Sequence, residues 1–208
     1  MEFLVAQILS GVSLGGQYAL IAIGYTMVYG ILRLINFAHG DVFMCAGLMM
    51  VFMCASLPVY VSIPLMLVLT VLLGFVIERA AYKPLRSAPR MSVMISAIGV
   101  SYLLQNLALL VFGPNPMSFP SFVSIPSISL FDGQLILTGE TIVTVLANII
   151  IMLVLTFFTS HTKMGKAMRA CSEDKDAARL MGINVDATIS MTFAIGSGLA
   201  AVAGVLLC

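Results

Sequence analysis

The sequence predicts an all-α polytopic transmembrane helical bundle, a single membrane domain of about six spans over residues 1–208. Two observations carry this. Hydrophobic residues make up 61% of the chain and charged residues 9%, whereas a typical soluble domain has about 25% charged residues. The few charges are also clustered, leaving long apolar blocks between them. A surface so poor in charge has to be covered largely by lipid.

The blocks follow in order. No charge lies between Glu2 and Arg33, a stretch longer than the roughly 20 residues a helix needs to cross the hydrocarbon core. With no basic n-region and no cleavage site, it reads as a span and not as a signal peptide. A second charge-free block runs from Asp41 to Glu78, with Pro58 and Pro64 bracketing its middle. Proline interrupts helices, so two spans are predicted, 42–57 and 62–77, the first short enough to be re-entrant. Met91–Phe112 is the next span, ended by Gly113-Pro114-Asn115-Pro116, and Thr141–Phe158 follows. The last apolar run starts near Ala187 and reaches Cys208 without a polar cap or charged anchor, so the chain is expected to continue. Cys45, Cys54, Cys171 and Cys208 have no metal-ligand spacing and read as small apolar residues.

The connecting segments set the sides. Segment 78–90 carries Arg79, Lys83, Arg86 and Arg90, and segment 159–186 carries Lys163, Lys166, Arg169, Lys175 and Arg179. Segment 113–140 has no Lys or Arg, only Asp132 and Glu140. The positive-inside rule places the first two in the cytoplasm and the third outside. Within that outer segment, Ile128–Phe131 and Gln134–Leu137 flank Asp132-Gly133, the form of a small β-hairpin or of an ordered loop without strands.

Four features are candidates for function. Gly11, Gly15 and Ala19 put small residues four apart on the first helix, a face for close helix packing within the chain or for lining a pathway with Gln17 and Tyr18. Asn36-Phe37-Ala38-His39-Gly40-Asp41 joins two apolar blocks. At membrane depth it is a substrate or gating element; at the interface Asn36 and Asp41 cap helix ends. No second histidine is spaced for a metal, and none is expected. Gln105, Asn106 and Asn148 lie within spans, where amides hydrogen-bond across helices or face a solute. Lastly, Ser172 or Asp174 can start a short cytoplasmic helix that Gly182 closes, leaving Ala177, Ala178 and Met181 available for contact. No nucleotide-binding, metalloprotease, hydrolase or dinucleotide motif is present. No catalytic residue is assigned, and uphill transport would draw on an ion gradient or another subunit.

These residues resemble a known family. Tyr18–Gly24, Tyr29-Gly30, Ile35–Asp41, Glu78-Arg79, Tyr82–Arg86, Ile95–Gly99, Leu104–Asn106 and Met164–Cys171 are similar to the branched-chain amino-acid ABC importer permeases, specifically the H-type leucine/isoleucine/valine subunit. The resemblance runs in order over nearly the whole chain and is weakest in 113–140. It implies a bacterial inner-membrane protein that pairs with a second permease, two cytoplasmic ATP-binding subunits and an extracytoplasmic solute-binding protein. ATP and Mg would be held on the ATPases, with no cofactor on this chain and no nucleic-acid partner. It also implies that Asp176–Gly182 is the EAA-type coupling motif, with Asp for Glu, and that Asp174, Asp176, Ala177, Ala178, Met181 and Gly182 couple to the ATPase. Asn36, His39, Gln105 and Asn106, with Gln17 and Tyr18, are the candidate pathway residues. Members of the family continue past Cys208. Urea or short amides are alternative substrates within it. A stand-alone secondary transporter is disfavoured by the coupling motif and the scarcity of charge within spans, and an intramembrane enzyme using His39 and Asp41 is weaker still.

Overall fold

A computed structural model describes residues 2–33, 35–86, 88–115, 128–130, 135–137 and 139–207. The helices are α1 (Glu2–Leu32), α2 (Ala38–Cys54), α3 (Val59–Ile77), α4 (Arg90–Phe112), α5 (Gly139–His161), α6 (Lys163–Glu173), α7 (Lys175–Leu180) and α8 (Val185–Leu207). Four helical stretches among the described residues are long and apolar enough to cross a membrane: Val59–Tyr82, Met91–Phe112, Ile142–His161 and Val185–Leu206. α1 runs for 31 residues, and α2 is a shorter apolar helix of 17. The protein is an all-α, multi-pass membrane protein.

The helix boundaries correct one expectation. The α2–α3 break is confined to Ala55–Pro58, where Ser56 and Leu57 both donate to the Met53 carbonyl. Pro58 caps α3, and Pro64 lies inside it. Inside the helix, Pro64 forfeits the bond its missing N–H would make to the Tyr60 carbonyl. At the other end α3 stops at Ile77, as the sequence predicts, and one π-helical turn, Glu78–Tyr82, follows it.

α8 is the centre of the bundle. It packs against α1, α2 and α3, and 56% of its apolar stretch is buried, against 11–28% for the other three spans. Small residues let its neighbours approach closely. A Cβ on Gly196 would stand 3.2 Å from the Gly24 carbonyl oxygen, and one on Gly24 would stand 3.1 Å from that of Gly196. The side of α1 that meets the core therefore runs through Gly16, Leu20, Gly24 and Val28, of which Leu20, Gly24 and Val28 are buried. The Gly11–Gly15–Ala19 series, expected as a packing face, is offset by one residue, about 100° around the helix. Gly11 and Gly15 are exposed, and no described residue comes within 4 Å of a Cβ placed on either. Ala19 is half-buried.

All ten lysines and arginines of the sequence lie at one end of the bundle. The end of α1, the π turn, the start of α4, α6, α7 and the start of α8 gather there, held by contacts described below. This is the end that the positive-inside rule assigns to the cytoplasm. β1 (Ile128–Leu130) and β2 (Leu135–Leu137) pair antiparallel, with Ile128 opposite Leu137. The expected Asp132-Gly133 turn lies outside the described residues.

Candidate functional site

The α1–α2 joint and its neighbours form a polar layer. Asn36 is buried, and Tyr82 Oη donates to its Oδ1 at 2.7 Å. Asn36 therefore ties the joint to the π turn and does not cap α2, whose cap position is Phe37 with no side-chain bond. The Tyr82 ring tilts over Phe193 of α8, 5.1 Å between centroids. His39 is buried beside Gly24 and has Tyr25 edge-on at 6.1 Å. Asp41 sits buried in the first turn of α2 and accepts a bond from Gln105 Nε2 at 2.9 Å. His39 Nε2 and Asp41 Oδ2 have no hydrogen-bond partner among the described residues. Buried polar atoms without partners are costly, and within a membrane such groups face the protein interior or a water-filled cavity.

The other pathway candidates lie elsewhere. Tyr18 is 60% exposed on the outer side of α1. Asn106 is exposed and donates to the Tyr102 carbonyl of its own helix at 2.7 Å. The Gln17 side chain lies outside the described residues. Asn148 is buried against Gly16, its amide without a partner among the described residues.

The basic end of the bundle adds charge. Glu78 is fully buried and paired with Arg86, which also pairs with Asp186 in the first turn of α8. Ser190 Oγ donates to Glu78 Oε2 at 2.8 Å. From the sequence alone Glu78 falls at the start of the connecting segment 78–90. The structure places it inside because α8 and Arg86 supply partners for both carboxylate oxygens, a condition for burying a charge.

The segment after α5 turns sharply. Thr162 caps α6 by accepting from Gly165 N at 3.0 Å, and α6 ends at Glu173. Asp174, not Ser172, starts α7: its Oδ1 accepts from Asp176 N at 2.8 Å and Ala177 N at 3.1 Å. The bonds from Ala177 and Asp176 hold the Asp174 carboxyl below its ordinary value. The cap is thus in place above the ordinary carboxylate range and is lost as pH falls through the lowered value. Asp174→Ala is expected to fray α7, whereas Asp174→Asn keeps most of the helix because asparagine caps well. Amide exchange at Asp176 and Ala177 checks this.

α7 closes with the two bonds of a Schellman turn: Gly182 N donates to the Arg179 carbonyl at 2.9 Å and Ile183 N to the Ala178 carbonyl at 3.0 Å. Gly182 has φ +81°, where side chains other than glycine are strained. Leu180 and Met181 stand out at 90% and 85% exposure, while Ala178 is buried in the core with Cys171 and Val185. This corrects the expectation that Ala178 is available for contact: it is buried and anchors α7. Asp174, Asp176 and Ala177 are exposed. Behind α7 a cavity of about 580 Å³ opens between Arg33, Tyr82, Arg86, Lys175, Arg179 and Ile189. Burial, together with Arg86 and Arg33, pushes the Lys175 ammonium below its ordinary value. No group of three or more metal-ligating side chains occurs among the described residues.

Residues 7–208 match the family described as branched-chain amino acid transport system / permease component. The chain belongs to this family. The permease is 42% identical to the high-affinity branched-chain amino acid transport system permease protein LivH of Salmonella typhimurium, over 99% of this chain and 70% of that protein. It is 40% identical to the corresponding protein BraD of Pseudomonas aeruginosa, over 97% and 69%. A probable branched-chain amino acid transport permease protein LivH from Methanocaldococcus jannaschii is 29% identical over 90% and 61%. No solved structure matches the permease. Membership makes it a multi-pass permease subunit of the inner membrane that works within a transport system of several subunits.

Proposed function

We propose that this permease moves branched-chain amino acids inward by alternating access, paired with a second permease and supplied by an extracytoplasmic solute-binding protein. Two cytoplasmic ATP-binding subunits drive it by docking on α7, and ATP and Mg are held there and not on this chain. One observation carries the docking role. α7 is fixed at both ends, by Asp174 and by the Gly182 turn, and it offers Leu180 and Met181 to the cytoplasm with nothing covering them among the described residues. Exposed apolar side chains on a rigid, basic-ended platform suit a protein partner. The named relatives are branched-chain amino acid permeases, which supports the substrate class.

The test is co-expression with the neighbouring ATPase and binding-protein genes. Leu180→Asp with Met181→Asp is expected to reduce ATPase capture by affinity-tagged permease at least tenfold, about 1.4 kcal/mol or more, with the permease still in the membrane. Unchanged capture overturns the docking role. Uptake of urea or a short amide in place of leucine by the reconstituted importer overturns the substrate class.

A further inference from the structure

We propose that Arg33 and Lys175 form a reciprocal clasp that carries movement of α7 into α1, and so sets how much substrate moves per ATP. The inference rests on the reading that α7 receives the ATPase. α6 ends immediately before α7, and the carbonyls of its last turn have no intrahelical partner. Arg33 Nη2 donates to two of them, Ser172 O at 3.0 Å and Glu173 O at 3.1 Å. Lys175, the first residue of α7, returns the contact: its Nζ reaches the carbonyl of Leu32, the last residue of α1, at 3.5 Å. Arg33 thus supplies a cation at the C-terminus of α6, and Lys175, at the α6–α7 junction, supplies one at the C-terminus of α1, the position the helix dipole favours in each case.

The backbone at this joint is also unusual. Arg33 has φ +55°, and it is the one non-glycine residue with positive φ among those described. A long side chain in that region is strained and persists only where its surroundings hold it there. The surroundings are the two bonds to α6. Three residues on, Asn36 is held by Tyr82, whose ring rests on Phe193 of the central helix. A shift of α7 must therefore either break the clasp or displace the end of α1, and with it the Asn36–Tyr82 contact on α8.

A merely structural cap and a transmitting clasp predict different results. Arg33→Gly removes the guanidinium while suiting the positive φ, so it separates the bonds from the backbone conformation. In the reconstituted importer with leucine-loaded binding protein, Arg33→Gly is expected to bind the ATPases and hydrolyse ATP as the unaltered protein does. Substrate moved per ATP should fall about fivefold or more, within the range of coupling free energies. Lys175→Met should lower the same ratio, and the double variant should be no worse than the more severe single one, because both residues serve one joint. Arg33→Lys, which keeps a cation but loses the planar fork, should recover part of the ratio. An unchanged ratio in Arg33→Gly, or parallel loss of transport and hydrolysis, overturns the clasp. Failure of the α7 docking reading shows differently, as ATPase capture that survives charges at Leu180 and Met181.

Discussion

Arg86→Ala should leave the permease largely unfolded or degraded. Glu78 is fully buried, and without Arg86 it would keep only the Ser190 hydroxyl as partner. Breaking a buried pair from one side costs about 3–5 kcal/mol, a large part of the stability of most folded domains. The loss comes from the stranded carboxylate and not from the missing arginine, so the remedy is specific. Combining Arg86→Met with Glu78→Gln removes both charges and keeps both volumes, and should recover most of the folded protein. Yield and thermal melting of the detergent-purified permease measure both arms. A single Arg86→Ala variant that melts normally would show that Glu78 finds other partners.

Gly165→Ala should be nearly as severe, although it adds one methyl group. The new Cβ would lie 2.5 Å from the Phe158 carbonyl oxygen and from the Thr159 Cα and carbonyl oxygen. These are backbone atoms of the last turns of α5, and they cannot swing aside as a side chain does. Overpacking costs about 1–3 kcal/mol where side chains give way, so the upper part of that range is expected here. α6 would lift off α5 and carry α7 with it. Gly11→Ala and Gly15→Ala make the contrast, since nothing described is close to either new methyl. In the isolated permease they should leave melting unchanged or raise it slightly through helix propensity. Comparable losses at all three glycines would mean that the packing face of α1 is assigned wrongly.

These two predictions also show where the sequence was legible. Charge spacing located the apolar helices within a few residues because lipid tolerates few unpaired charges. Local capping chemistry was equally readable: Asp174 and Gly182 begin and end α7 through atoms two to five residues apart. The packing face of α1 was not, because two sets of residues run four apart along it, one residue out of step, and only the arrival of α8 decides which is buried. The Arg33–Ser172 and Arg86–Asp186 contacts, 139 and 100 residues apart in sequence, depend on which helix ends share a side of the membrane and which of them touch. The side was readable from the clustered Lys and Arg; the touching was not. Glu78 misled for a related reason. A charge usually marks the end of a span, and here it marks a partner on α8. A polar residue just past a span, eight positions before an arginine, was the one signal that could have suggested it.

The central position of α8 has a consequence for how the protein is made. α1, α2 and α3 all leave the ribosome before the helix they surround. Until α8 is inserted, Gly24 faces no Gly196 and Gly74 no Ser197, and the Glu78 carboxylate lacks the α8 groups that hold it. Contacts between distant parts of a chain form late because the intervening loop must close first. Earlier helices therefore wait in the bilayer with polar and small-residue faces uncovered, open to lipid, to membrane chaperones and to proteases. Synthesis that halts before Val185 would yield a membrane-inserted protein without its central helix, and the cell's quality control would meet it first.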